Sequence, residues 1–314
     1  MNFPTDREYI FNRITYNEPA YERMKAVLIN LRQLRLLLIA IPLLVIFIFM
    51  QKQTLPKIEK ELPVKSESQK YGEFIIWEEA RQYFAKYSSA TVIDMDSGKQ
   101  FNIQRRGGSS HADVQPLTAE DTATMKAIYD GKWSWKRRAV IVVMENGMRI
   151  AGSMNGMPHG QGAIVGNNFN GHFCIHLRDS KTHGSQKLDL AHQMMVWKAA
   201  NMVEKQIKTM GPEDTIRLFF TAIDQGELEM AGRLLDAGEG EAAILKLFSN
   251  YDYVRIYEIN KMTDDNFEVG VLLVYDGGRQ QCQKAIPVKV IKKSSHWMID
   301  VHSIGLLLQQ YGRN

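Results

Sequence analysis

The longest apolar run in the chain, Leu36 to Met50 ("LLLIAIPLLVIFIFM"), is bounded by Arg35 and by Gln51-Lys52. A core helix keeps a polar stripe, and this run has none. The pattern therefore predicts a transmembrane helix over 34–52, in which Leu34 and snorkelling Arg35 and Lys52 extend a run slightly short of the ~20 residues that cross a bilayer. Residues 1–33 are polar with helical patches and read as a short cytoplasmic segment. Residues 53–70 carry proline, many charges and few large apolar groups, the composition of a stalk linker. No small-x-small site follows the run, so an uncleaved anchor is expected rather than a signal peptide. Lysine and arginine are balanced on its two sides, and the positive-inside rule gives no orientation.

Beyond the stalk the period changes. "YGEFIIWEEARQYFAKY", from Tyr71, has helical spacing. "ATVIDMDSGKQFNIQRR" alternates and breaks at Ser97-Gly98, a hairpin pattern, and "AVIVVMENGMRIAGSMN" repeats it with a turn at Asn146-Gly147. Residues 187–210 read as one helix ending before Gly211-Pro212. After that pair the order of elements changes. "PEDTIRLFFTAIDQGELEMAGRLL" opens with proline and acids, as a helix N-terminus does, and breaks at Gln225-Gly226. Four strand-like segments follow at 251–261, 266–275, 280–292 and 296–302. The expected fold class is α+β: an N-terminal single transmembrane helix, a mainly-β domain with flanking helices over 71–210, and an α+β cone over 211–314.

Composition narrows the function. A formal charge of +4 without a dense basic block leaves nucleic-acid binding no electrostatic footprint. Two cysteines, Cys174 and Cys282, do not make a disulfide framework. Cys282 alternates with apolar residues and is expected to be a buried thiol.

The chemistry concentrates in "GHFCIHLRDSKTHG", residues 171–184, with one of the two cysteines and three of the eight histidines. Read as a strand, 171–177 places His172, Cys174 and His176 on one face and Phe173, Ile175 and Leu177 on the core face. A thiol beside an imidazole can form a thiolate–imidazolium pair, with a cysteine pKa at or below neutrality. His159-Gly160 lies upstream, 15 positions before Cys174, across a Gly/Asn-rich loop able to fold back on the strand.

At this point "HGQGAIVGNNFNGHFCIHL" resembles the L,D-transpeptidase (YkuD-type) family, which places a His-Gly pair before a Ser-His-Gly-Cys-Ile-Arg strand. This sequence keeps the His-Gly pair, the His two before the Cys, the Cys and the Ile. It departs at Gly171 for Ser, Phe173 for Gly and His176 for Arg. The resemblance covers roughly residues 90 to 195. It implies that Cys174 attacks the acyl carbonyl of a peptidoglycan stem peptide to leave a thioester, and that His172 takes the thiol proton. It implies further that His159 shapes the oxyanion side and that the Gly171 carbonyl orients His172. His176 stands in for the arginine, while Gly160, Asn168 and His183 are expected to line the substrate. No cofactor is implied. Wall chemistry would put the C-terminal domains outside the cell membrane, anchored by one helix. The segment from Gly211 is similar to the NTF2-like superfamily, and is expected to offer a surface for a protein partner or ligand.

Two other readings use the same residues. A catalytically inactive wall-binding module would keep the site as a relic. A zinc peptidase would gather "HAD" (111–113), His159, His172, His176 and His183 around a metal. No HExxH motif is present, and His172 and His176 on one strand lie about 13 Å apart, so no metal ligands are assigned. "WSWKRR", 133–138, is expected to pack structurally rather than to stack a sugar.

Overall fold

The computed structural model of the chain describes residues 70–304, apart from 237 and 239. Among the described residues the first labelled element is a short helix, α1 (Trp77–Tyr83), which, with Phe84 just after it, packs Trp77 and Ala80 on the barrel core. Six strands follow: β1 (Ser89–Asp94), β2 (Gln100–Gly107), β3 (Ala112–Pro116), β4 (Arg137–Met144), β5 (Arg149–Asn155) and β6 (Phe173–His176). They close into an antiparallel barrel in the order β1-β2-β3-β6-β5-β4. Alternation supplies the lining: Val92, Phe101, Ile103, Val114, Val140, Val142, Met154, Phe173 and Ile175 are all buried in one cluster. The β4–β5 turn spans residues 145–148, in which Gly147 takes the left-handed conformation, φ 84°, the geometry that suits the strand twist.

Helix α2 (Ala119–Ile128) runs between β3 and β4 and starts from a reciprocal cap. The Asp121 amide donates to Thr118 Oγ1 and the Thr118 amide donates to Asp121 Oδ2. Helix α3 (Leu190–Ala199) is capped by Asp189, whose carboxylate accepts from the His192 amide. The expected single helix over 187–210 is broken, because Asn201 adopts φ 56° and the chain restarts as α4 (Val203–Ile207).

From Gly211 the first helices and three of the strands fall where their pattern puts them, but the fourth strand, expected over 296–302, stops at Ile299, and a further helix over Glu241–Phe248 was not expected. Pro212 opens α5 (Pro212–Gln225), and Gly226 closes it in the left-handed conformation. Helices α6 (Leu228–Gly232) and α7 (Glu241–Phe248) follow, then β7 (Tyr253–Lys261), β8 (Asn266–Tyr275), β9 (Gln280–Lys293) and β10 (His296–Ile299). The four strands make a meander in the order β10-β9-β8-β7. Its core is continuous with the outer face of the barrel: Ala139, Ile141 and Ala151 join Met194, Met195 and Ala199 of α3, Phe219 and Phe220 of α5, and Val269 and Val288 of the sheet in one buried cluster.

The expected fold class is corrected in its first element. Among the described residues no helix is long and apolar enough to cross a membrane. The longest described helix, α5, has 14 residues and carries Glu213, Asp214, Arg217 and Asp224, against ~20 apolar residues for a span. The stretch read as a transmembrane helix (34–52) and the segment before it lie outside the described residues, as does the stalk except for Lys70. What is described is an α+β chain with a closed six-stranded barrel and a second, four-stranded sheet.

Candidate functional site

Cys174 sits on β6, which is only four residues long and entirely buried. The loop before it folds back so that His159 and His172 pair as an isolated antiparallel bridge, with His159 N–H donating to His172 O at 2.9 Å and the reverse bond at 2.8 Å. Two glycines permit this approach. Gly160 has φ 60°, and a Cβ there would strike the His172 ring; Gly171 has φ 114°, and a Cβ would strike the His159 backbone. The barrel holds the loop from beneath. Buried Gln115 Oε1 accepts from the amides of Ala163 (2.7 Å) and Ile164 (3.1 Å), and Asn167 Nδ2 donates to Pro116 O at 2.7 Å.

His159 Nε2 lies 3.2 Å from Cys174 Sγ. Its Nδ1 lies 2.8 Å from the carbonyl of Met157. A carbonyl can only accept, so in the neutral ring the proton resides on Nδ1 and Nε2 presents its lone pair to the thiol. The imidazole that meets the sulfur is therefore His159, and the assignment of that role to His172 is corrected. The reason is strand geometry. Residues i and i+2 on one strand project side by side about 6.6 Å apart, whereas a diagonal cross-strand neighbour can reach across.

His172 points elsewhere. Its Nδ1 meets the Gln161 carbonyl at 3.0 Å, and its Nε2 lies 3.8 Å from Asp113 Oδ1. Gly171 and Gly160 serve as the hinge points of the bridge. Asn168 is exposed in a left-handed turn, φ 56°, while His183 stands at the mouth, its side chain 50% exposed. His176 is remote from solvent, stacked between His192 (ring centroids 3.7 Å) and His111 (4.5 Å). Helix α3 supplies this lid, since its Asp189 cap sets His192 against Ser153 Oγ at 2.9 Å.

Electrostatics keep the resting pair neutral. Burial pushes the Cys174 thiol up to about 12, the Asp113 carboxylate adds to this, and an Asn155 hydrogen bond and Arg137 oppose it. Burial likewise lowers His159, against the Met157 hydrogen bond, with His172 and His183 lowering it further. Both shifts favour the neutral thiol–imidazole form over the expected thiolate–imidazolium pair. His176 and His192 are held well below the ordinary histidine value, chiefly by burial.

Two further residues of the chamber, His111 and Asp113, are expected from the sequence either as part of a metal motif or as lining the same cleft, with no catalytic role given to them. Asp113 pairs directly with Cys174 across β3–β6. Burial opposes its ionisation, but the close His111 imidazole and the fields of His172 and His183 outweigh it and hold the carboxyl below its ordinary value. Trp135 was read as structural. It is 46% exposed, and its ring lies 5.1 Å from that of His159. No signal in the sequence tied it to the histidine, because the contact depends on barrel closure.

No family model matches the chain, and no curated protein matches it. Among solved structures it is similar to that of Bdellovibrio bacteriovorus Bd1075, at 13% identity over 73% of this chain and 96% of that chain, with a TM-score of 0.21. A TM-score that low does not establish a shared fold.

Proposed function

We propose that the chain is a cysteine acyltransferase or peptidase of the cell envelope, acting on peptidoglycan stem peptides with Cys174 as nucleophile and His159 as its base. The observation that carries this reading is the 3.2 Å approach of His159 Nε2 to Cys174 Sγ, in a ring whose tautomer is fixed by the Met157 carbonyl. The substrate class rests on the resemblance of the His-Gly loop and the Cys strand to L,D-transpeptidases.

The step follows from the resting charge state. With thiol and imidazole both neutral, the proton leaves Sγ for His159 Nε2 as sulfur bonds the acyl carbon, rather than beforehand. The imidazolium then returns that proton to the departing amine as the C–N bond breaks, leaving a thioester on Cys174. An incoming amine or water gives its own proton to His159 Nε2 as it bonds the acyl carbon; the C–S bond then breaks, the acyl group leaves, and the imidazolium returns the proton to Cys174 Sγ. Trp135 beside the His159 ring offers an exposed apolar face for the substrate. The four-stranded layer, similar in element order to the NTF2-like superfamily, is read as the site for a protein partner or ligand.

A second reading, a wall-binding module without turnover, is favoured by one observation: Cys174 is only 4% exposed. Incubation with a stem tetrapeptide, followed by intact-mass measurement, separates the two. The acyltransferase reading expects an acyl adduct on Cys174 and release of the terminal residue. Saturable peptide binding with no adduct would leave the binding module.

A further inference from the structure

Close to the His159–Cys174 pair three ligand atoms converge from two segments of chain, the start of β3 and the loop at His183. His111 Nε2 lies 2.8 Å from His183 Nε2 and 3.2 Å from Asp113 Oδ1, and His183 Nε2 lies 3.0 Å from Asp113 Oδ1. These three atoms and Cys174 Sγ all lie within 4.8 Å of one another.

The proton count does not suit such a cluster. His111 Nδ1 lies 2.6 Å from the Lys181 carbonyl, which can only accept, so the ring proton sits there and Nε2 carries a lone pair. Asp113 Oδ1 is buried and has no hydrogen-bond partner: the histidines are near, but not at the angle of a bond. With both rings neutral, the form in which imidazole ligates a metal, only one proton, on His183, is available among the three electron-rich atoms. Buried acceptors packed against each other are costly, and a cation resolves the conflict.

Zinc-like ions bind imidazole nitrogen at about 2.0–2.1 Å and carboxylate oxygen at about 2.0–2.2 Å, which sets ligand atoms roughly 3.3 Å apart around a tetrahedron. The observed triangle is slightly tighter than that. His111 also shows the outer-shell arrangement of a ligating histidine, with its second ring nitrogen donating to a backbone carbonyl. Half-exposed His183 gives the ion a way in.

We infer that His111 Nε2, Asp113 Oδ1 and His183 Nε2 form a site for a borderline-soft divalent cation of the Zn2+ class, with the Cys174 thiolate as fourth ligand. The site shares its sulfur with His159, so the ion and the base compete for it. A sulfur held by the metal has lost its proton to solvent and gives its lone pair to the ion, so it does not attack an acyl carbon. Metal binding itself stands without the acyltransferase reading; the masking of a nucleophile rests on it.

The test uses the purified full-length chain, stripped with chelator and titrated with Zn2+ against a chromophoric competitor, and separately with Co2+. One ion per chain is expected. His183→Ala and Asp113→Asn should each weaken binding at least about tenfold, with His183→Ala melting like the parent because its side chain is half exposed. Cobalt should give a thiolate charge-transfer band that Cys174→Ser removes. Zn2+ should slow alkylation of Cys174 in the parent but not in His183→Ala. No stoichiometric uptake, or uptake unchanged by both ligand substitutions, would overturn the site. A cobalt band surviving in Cys174→Ser would overturn the sulfur ligand. Zinc uptake with a Cys174 that no peptide acylates would retain the metal site and sink the acyltransferase reading, whereas acylation without zinc uptake would do the reverse.

Discussion

Asp113 on β3 and Cys174 on β6 are direct cross-strand partners. A carboxylate held in its charged form thus faces the sulfur that has to give up a proton, and it helps to keep that sulfur protonated.

Asp113→Asn removes that negative charge while keeping the shape of the side chain. The thiol should then titrate at a lower pH than in the parent, although burial, the largest cause of its shift, remains. Alkylation rate as a function of pH checks this through the midpoint, which should move downward. An unchanged or raised midpoint would refute the electrostatic role given to Asp113.

His176 and His192 are buried neutral, with folded values well below the ordinary 6.5. A base depressed by folding contributes stability that is complete above its unfolded pKa and is lost as pH falls toward the folded one, because the unfolded chain takes up protons the native chain refuses. Melting temperature should therefore fall between about pH 7 and about pH 5. His176→Phe keeps the stacked ring and removes one proton sink, so its fall should be shallower. His176→Arg, which returns the residue of the resembled family, buries a charge between two imidazoles. It should cost on the order of 3 kcal/mol or more, read by denaturant unfolding.

Phe173 occupies the place of a glycine in that family. It is fully buried and packs on Phe101 (6.1 Å) and Phe169 (5.8 Å). Phe173→Gly should lose roughly 3–5 kcal/mol of stability through the cavity it opens. Unfolding midpoints within error of the parent would show that the ring is not part of the barrel core.

The core does not stop at Gly211. Met194, Met195 and Ala199 of α3 share one buried cluster with Ile216, Phe219 and Phe220 of α5. Residues 211–314 alone should expose that face and melt without cooperativity, while 187–314 should recover a transition. Calorimetry of the two fragments decides it.

Much of this was readable in the sequence because it depends on local rules. Gly98, Gly147 and Gly226 stand at positive φ where the pattern broke, and Pro212 opens its helix. The alternation around Cys174 correctly sent Phe173 and Ile175 into the barrel. Two features were not readable. Alternation gave His172, Cys174 and His176 a common face, but it could not show that α3 covers that face and turns His176 into a core residue. Nor could spacing along one strand reveal that the base comes from across a bridge. His159 reaches Cys174 only because Gly160 and Gly171 let two backbones close on each other.

The choice between the two imidazoles is the centre of the account, and it can be measured without knowing the substrate. Cys174 is alkylated by iodoacetamide near pH 7, and the rate is followed by mass spectrometry in the parent, His159→Ala and His172→Ala. Removing His159 should slow the reaction by about 100-fold or more, the usual worth of a positioned base, whereas removing His172 should change it by less than about tenfold. A Cys174 that reacts at the parent rate without His159, and slows only when His172 is removed, would contradict the assignment.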